Sequence, residues 1–251
     1  MHADTPVDLT GKAALVTGGS RGIGAAIARR LAEQGADVAL TYARSADRAA
    51  EVVRDIEGAG RRGLALRADA ADADAIREAV DTAARRLGRL DVLVGNAGIG
   101  PYGPLAEVTA DEVDLALAVH ARAAFLTAQA AARHLGAGGR IITIGSSLAE
   151  RVPYPGWTLY SMSKSALVGL TKGLARDLGP RGITAVLVQP GSTDTEMNPA
   201  DAPEAAAERE FTALGRYARP EEIAAAVGYL AGPGGAYITG TTITVDGGVT
   251  A

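Results

Sequence analysis

Apolar residues along this chain follow two alternating rhythms. Short runs such as Lys12 to Thr17 (Lys-Ala-Ala-Leu-Val-Thr) are bounded by glycine, and each gives way to a stretch whose apolar positions recur every three or four residues. After the first run, Ile23, Ile27 and Leu31 mark one helical face up to Gly35. The same alternation predicts strands at Val38–Tyr42, Gly63–Arg67, Asp91–Val94, Arg140–Ile144, Ile183–Val188 and Thr242–Val245. Helices are predicted over Ala46–Glu57, Ala73–Leu87, Thr109–Leu135 and Pro220–Leu230. A further helix carries Tyr160, is striped by Leu167, Leu170, Leu174 and Leu178, and stops at Gly179-Pro180. Strands alternating with helices require a doubly wound parallel sheet of seven strands, an α/β architecture with right-handed crossovers and helices on both faces.

A length of 251 residues suits one domain of this kind, residues 1–251. Residues 192–215, rich in Ala, Glu and Pro, break the alternation just beyond a strand. They read as a mobile lid over a ligand or, equally, as a solvated surface helix. The net charge of −4, with 25 basic and 29 acidic residues scattered through the chain, offers no basic stripe for nucleic acid or an anionic membrane. Small molecules are therefore the expected partners. With no cysteine, disulfides, thiolate nucleophiles and Cys-based metal sites are excluded, and no metal is expected. Met1 to Asp8 lacks a basic segment followed by an apolar one, and no later stretch stays apolar for about 18 residues, which predicts a soluble, cytoplasmic protein.

The turn Thr17-Gly18-Gly19-Ser20-Arg21-Gly22-Ile23-Gly24 lies between the first strand and the first helix. Helix N-terminal amides and the positive end of the helix dipole bind pyrophosphate, and glycines let the backbone approach it. A glycine-rich loop alone is as often structural. Here the strand before and the helix after single out Gly18, Ser20, Arg21, Gly22, Ile23 and Gly24 as dinucleotide-binding candidates. At the 2′ position of the adenosine ribose an acid would select the hydroxyl and an arginine a phosphate. The second strand ends in Tyr42, followed by Arg44 and Ser45, and Arg21 lies in the glycine loop, so NADP(H) is expected in preference to NAD(H). All but three of the 25 basic residues are arginine, so these also read as ordinary surface charge.

Tyr160 and Lys164 stand four apart and so are neighbours on one helix. Bringing a phenol from about 10 to neutrality costs roughly 4 kcal/mol, and a unit charge about 4 Å away at an effective dielectric near 20 supplies a similar amount. A lone Tyr-x-x-x-Lys is more often a packed ring and a solvated amine. The strand Ile141 to Ile144 ends in Gly145-Ser146-Ser147, where a hydroxyl could share a substrate oxygen with Tyr160.

Five motifs in this order, TGxxxGxG, Asn96-Ala97-Gly98, Tyr160 with Lys164, Pro190-Gly191 and Val245-Asp246-Gly247-Gly248, resemble the short-chain dehydrogenase/reductase family from Leu9 to Gly248. The subtype is similar to bacterial ketoreductases of the 3-oxoacyl carrier-protein reductase kind. The resemblance implies a Rossmann-like fold and hydride transfer between NADPH and a ketone or secondary alcohol. It implies that Tyr160 is the acid/base, that Lys164 activates it and holds the nicotinamide ribose, and that a serine polarises the carbonyl. Counting from the strand selects Ser146, and counting back from Tyr160 selects Ser147; Ser146 is preferred because an extra residue fits the loop 148–157 more easily than a strand. Asp69 matches the adenine ligand, or else caps the next helix. Asn96, Ala97 and Gly98 fall on the adenosine ribose and the neighbouring strand, and Pro190, Gly191, Thr193 and Thr195 on the nicotinamide side, with Thr195 matching the carboxamide contact or capping the lid.

His120 occupies the place of the family's usual asparagine. It either replaces the relay with a group that titrates near neutrality or merely fills the helix position. Tyr102, Tyr154 and Trp157 suggest a bulky wall for a mid-sized apolar substrate, or a surface for a neighbouring subunit. The family resemblance further implies a homotetramer built on the long helices and the last strand. A nucleotide-binding regulatory or sensor protein with little turnover is the rival reading.

Overall fold

Consecutive apolar residues in a strand have nowhere to go but two covered faces, and parallel strands provide both. The computed structural model describes residues 7–251. The stretch Met1 to Asp8, read above for a leader, lies mostly outside them. Seven strands form one parallel sheet in the order β3-β2-β1-β4-β5-β6-β7. They are β1 (Ala13–Val16), β2 (Asp37–Tyr42), β3 (Gly63–Arg67), β4 (Val92–Gly95), β5 (Arg140–Ile144), β6 (Thr184–Pro190) and β7 (Thr241–Val245). The helices are α1 (Gly22–Glu33), α2 (Ala46–Gly58), α3 (Ala73–Leu87), α4 (Ala110–Leu117), α5 (Ala123–Ala131), α6 (Thr158–Leu178), α7 (Ala205–Glu210) and α8 (Pro220–Ala231).

Adjacent strand residues point to opposite layers. Val16, Leu40, Ile142 and Val188 meet α1, α2 and α8 through Ile27, Leu31, Ile56 and Ile223. Leu15, Ala39, Leu93 and Ile141 meet the other layer through Val80, Ala128 and Leu178. The chain reverses direction across the sheet between β1 and β4, so the loops leaving their carboxyl ends diverge and open a crevice there.

One predicted element is corrected. Thr109 caps α4 in a reciprocal box, its Oγ1 accepting from the Glu112 amide at 3.3 Å while the Glu112 carboxylate accepts from the Thr109 amide at 2.8 Å. The helix then widens into a π turn at Ala118–Arg122, and α5 ends at Ala131 rather than Leu135. A π turn inserts a residue without changing which residue types face inward when most of them are alanine, so the periodicity hides it. Within residues 192–215 only α7 is helical.

At the opposite end of the sheet, Asp91 ties the starts of β1 and β4 together. Its carboxylate accepts from the Ala13 amide at 2.9 Å, from Arg89 through two bonds of 2.7 Å, and from Lys12 at 3.4 Å. Burial works to raise its pKa, but the Arg89 bonds, the Ala13 amide and the Lys12 charge together hold it below the usual carboxylate range. Its contribution is thus present above that range and is lost as pH falls through the depressed value. Asp91→Ala is expected to lower unfolding free energy at pH 7 by about 2 kcal/mol in urea titration; a change below about 0.5 kcal/mol would show that the clasp contributes nothing.

Candidate active site

The glycine turn is shaped by close backbone packing. Gly18 and Gly22 take φ of +64° and +51°, a region that penalises a Cβ. A Cβ on Gly24 would collide with the Gly18 carbonyl and the Asn96 side chain, and one on Gly18 would sit 2.9 Å from the Ala97 Cα. Thr17 Oγ1 accepts from the amides of Asn96 and Ala97 at 2.9 and 3.1 Å, while Asn96 Nδ2 donates to the carbonyls of Thr17 and Gly18 at 3.0 and 3.1 Å. Thr41 Oγ1 takes the Gly18 amide at 3.0 Å. Asn96 therefore braces the turn. Helix α1 begins at Gly22 with no side-chain cap and no acid in its first turn, which leaves its leading amides unspent.

Across the crevice, Ser146 leaves β5 and Tyr160 stands on α6. Ser146 Oγ accepts from the Leu148 amide at 3.2 Å, and its hydroxyl lies near enough to the Tyr160 phenol to pull that group's pKa down. Ser147 is buried beside it and has no such contact with Tyr160. Lys164, 4% exposed, donates to the Ile144 carbonyl at 3.0 Å, with its Nζ 5.8 Å from the Tyr160 ring centroid. Burial without a carboxylate lowers its pKa to about 8. Burial pushes the Tyr160 phenol up, and the Ser146 hydroxyl only partly offsets this. The expected fall of the phenol toward neutrality is not the balance struck here, because desolvation is the larger effect.

His120, 2% exposed, projects from the π turn. Its Nε2 accepts from the Ile99 amide at 3.0 Å, which makes Nδ1 the protonated nitrogen, and Nδ1 donates to Ser163 Oγ at 2.8 Å. Ser163 Oγ in turn donates to the Tyr160 carbonyl at 2.8 Å. Burial first and the Lys164 charge second lower its pKa to about 3. The expectation of titration near neutrality is therefore corrected: this ring is neutral at physiological pH, and both of its nitrogens are engaged by the protein.

The remaining sequence candidates divide between those that face the crevice and those that do not. Ser20, Ile23, Tyr42 and Ser45 are partly exposed, while Arg21, Arg44 and Asp69 are exposed. Asp72, not Asp69, caps α3, accepting from the amides of Asp74 and Ala75. Gly98 lies against His120 and Lys164, and Thr195 packs on Gly22. Gly191 abuts Asp246, so Pro190 and Gly191 turn on the C-terminal motif. Thr193 is buried with its hydroxyl donated to the Gly191 carbonyl at 2.9 Å, which leaves its side chain spent on the turn.

Sequence reasoning missed Thr17, Thr41, Ser163 and Glu208. Thr17 stands inside the glycine motif and could have been read as its brace. Glu208 on α7 accepts from Ser192 Oγ at 2.5 Å and Asn198 Nδ2 at 2.9 Å, and together with burial it raises the pKa of the nearby Tyr154 and Tyr217 phenols. No local pattern announces a carboxylate shared by such distant segments.

A family model described as enoyl-(acyl carrier protein) reductase matches residues 18–250. A crystal structure of a short-chain dehydrogenase from Burkholderia cenocepacia in complex with NADP is 57% identical, superposes with a TM-score of 0.96, and shares 97% of this chain and 99% of its own. The cyclic-di-GMP-binding biofilm dispersal mediator protein of Escherichia coli is 45% identical over 95% of this chain and 97% of its own. A short-chain dehydrogenase/reductase of Pestalotiopsis microspora is 40% identical over 97% of each.

Because His120 is neutral when folded and free to protonate when unfolded, its folded pKa lies below its unfolded one. The unfolded state then binds the extra proton, and stability falls as pH drops from about 6.5 toward 3, by up to about 1.4 kcal/mol per pH unit. Urea midpoints of the wild type should fall more steeply between pH 7 and 5 than those of His120→Asn, while turnover of the two should keep the same pH profile across neutrality. Parallel midpoint curves would show that the ring is not held neutral.

Proposed function

The chain belongs to the short-chain dehydrogenase/reductase family, and from that premise we propose that it is an NADPH-dependent reductase that interconverts ketones and secondary alcohols. One observation carries this reading: a Ser146–Tyr160 hydroxyl pair stands over a buried Lys164 at the crevice that the glycine turn opens.

The residues present fit a dinucleotide. Uncapped α1 amides and a turn that no Cβ could enter suit a pyrophosphate. Arg21, Arg44 and Ser45 would take a 2′-phosphate, Asp69 the adenine, Lys164 the nicotinamide ribose and Thr195 the carboxamide. When bound, the cofactor supplies the hydride. The protein's own work is at the substrate oxygen. Tyr160, protonated because burial holds its pKa up, gives its Oη proton to that oxygen. Ser146 Oγ, whose lone pair takes the Leu148 amide, keeps its own proton for a second bond to the same atom. Lys164 then faces the developing tyrosinate with its positive charge.

The same reading takes the chain as one cytoplasmic domain with residues 192–215 as its lid. Exposed Leu115, Phe125 and Met162 on α4 to α6, and Tyr237 before β7, support a homotetramer. The name of the Escherichia coli relative favours a second reading, an NADP(H)-binding regulatory protein with little turnover.

Tyr160→Phe is expected to cut NADPH oxidation with a ketone panel by a factor of about 10³ while leaving NADPH affinity within about twofold. Wild-type NADPH binding with no turnover of any ketone would favour the regulatory reading, and full turnover by the mutant would remove Tyr160 from the chemistry. NADPH should be preferred to NADH by at least about tenfold, and Arg44→Ser should narrow that margin.

A further inference from the structure

Aromatic rings leave the reaction centre in single file. The Tyr160 ring meets Trp157 edge-on at a centroid distance of 5.4 Å and 73°, and Trp157 meets Tyr102 at 4.9 Å and 48°. The outer ring is held from behind by backbone. Gly156 takes φ of +97°, a Cβ there would run into the Tyr102 ring, and the Gly103 amide donates to the Gly156 carbonyl at 3.1 Å. Glycine at 156 thus seats Tyr102 flat on the main chain, yet the residue remains 67% exposed. An aromatic residue fixed on one face and open on the other costs solvation unless something covers it.

A second pair, Tyr154 and Phe211 at 5.6 Å and 35°, joins the same loop to the end of α7. Burial and the nearby Glu208 carboxylate hold the Tyr154 phenol protonated beside this pair of rings. On the same loops, Arg151 donates to the Val249 carbonyl and Arg209 to the Ala200 carbonyl.

Building on the reductase reading, we propose that the Tyr102–Trp157–Tyr160 strip is an aromatic platform that selects aryl ketones, with the carbonyl at Tyr160 and the fused or attached ring packed in the angle between the tilted Trp157 and Tyr102 rings. The carbonyl carbon takes the hydride of NADPH and its oxygen the Tyr160 proton, giving NADP⁺ and a secondary benzylic alcohol. Aliphatic ketones of equal size fill the same volume but forgo the ring contacts, a difference worth about tenfold.

Trp157 is the single tryptophan of the chain, so its emission reports the platform directly. Protein loaded with NADP⁺ is titrated with 1-tetralone and with its saturated counterpart 1-decalone, against free N-acetyltryptophanamide as a control for collisional quenching. The expected result is a saturable emission change that needs at least about tenfold less tetralone than decalone, matched by the ratio of kcat/KM values for their reduction. Tyr102→Leu should erase the margin and Tyr102→Phe, which keeps the ring, should retain it. No response to either ketone, equal half-saturation, or a margin that survives Tyr102→Leu overturns the platform. Emission reports binding without hydride transfer. A tetralone response with no turnover therefore supports the platform and sinks only the reductase reading, whereas turnover of both ketones without a margin sinks only the platform.

Discussion

Everything at the candidate site depends on how closely the backbone approaches itself where β1 and β4 lie side by side. The turn after β1 can fold over the start of α1 only because Gly18 and Gly24 carry no side chains, and it stays there because Thr17 and Asn96 exchange hydrogen bonds across the two strand ends. These bonds also satisfy turn and strand groups that would otherwise be buried unpaired. The result is a helix N-terminus whose amides are presented rather than consumed. An alanine at position 24 would have to displace main chain, so the crevice is a consequence of packing and not merely of loop flexibility.

Burial, more than charge, sets the electrostatics on the other side of the crevice. Lys164 is a buried ammonium whose bonded partner in the protein is the Ile144 carbonyl, and its own pKa falls to about 8. Tyr160 moves the other way for the same reason, its neutral form favoured by desolvation. A protonated phenol beside a cation suits delivery of a proton to a carbonyl oxygen. His120 stays neutral in this setting and works through geometry instead. It links the segment after β4 to Ser163 and so to the α6 backbone at Tyr160, and the π turn is what aims it there.

Around this core, the variable part of the site is built from loops held by long-range contacts. Glu208 gathers side chains from the segments after β5 and β6 and from the approach to α8, which ties residues 192–215 to their neighbours. Arg48 pairs with Glu196 at 2.5 Å and ties the same stretch to α2. Tyr102 and Trp157 continue the wall outward from Tyr160. Tyr160 and Lys164 thus sit on a regular element, while Tyr102 and Trp157 come from the segments before α4 and α6.

The sequence by itself determined the strands, their alternation with helices, the glycine turn and the Tyr160–Lys164 spacing, because each rests on contacts between residues a few positions apart. Periodicity of two or 3.6 and the conformational freedom of glycine are local properties, and a linear reading captures them. Only the tertiary structure decided that Ser146 rather than Ser147 meets Tyr160, that Asp72 and not Asp69 caps α3, and that Thr193 is spent on its own turn. It also decided the protonation of His120 and the convergence on Glu208. Those outcomes depend on which distant groups exclude water from one another, and desolvation is a property of the assembled neighbourhood, with no trace in the order of the residues.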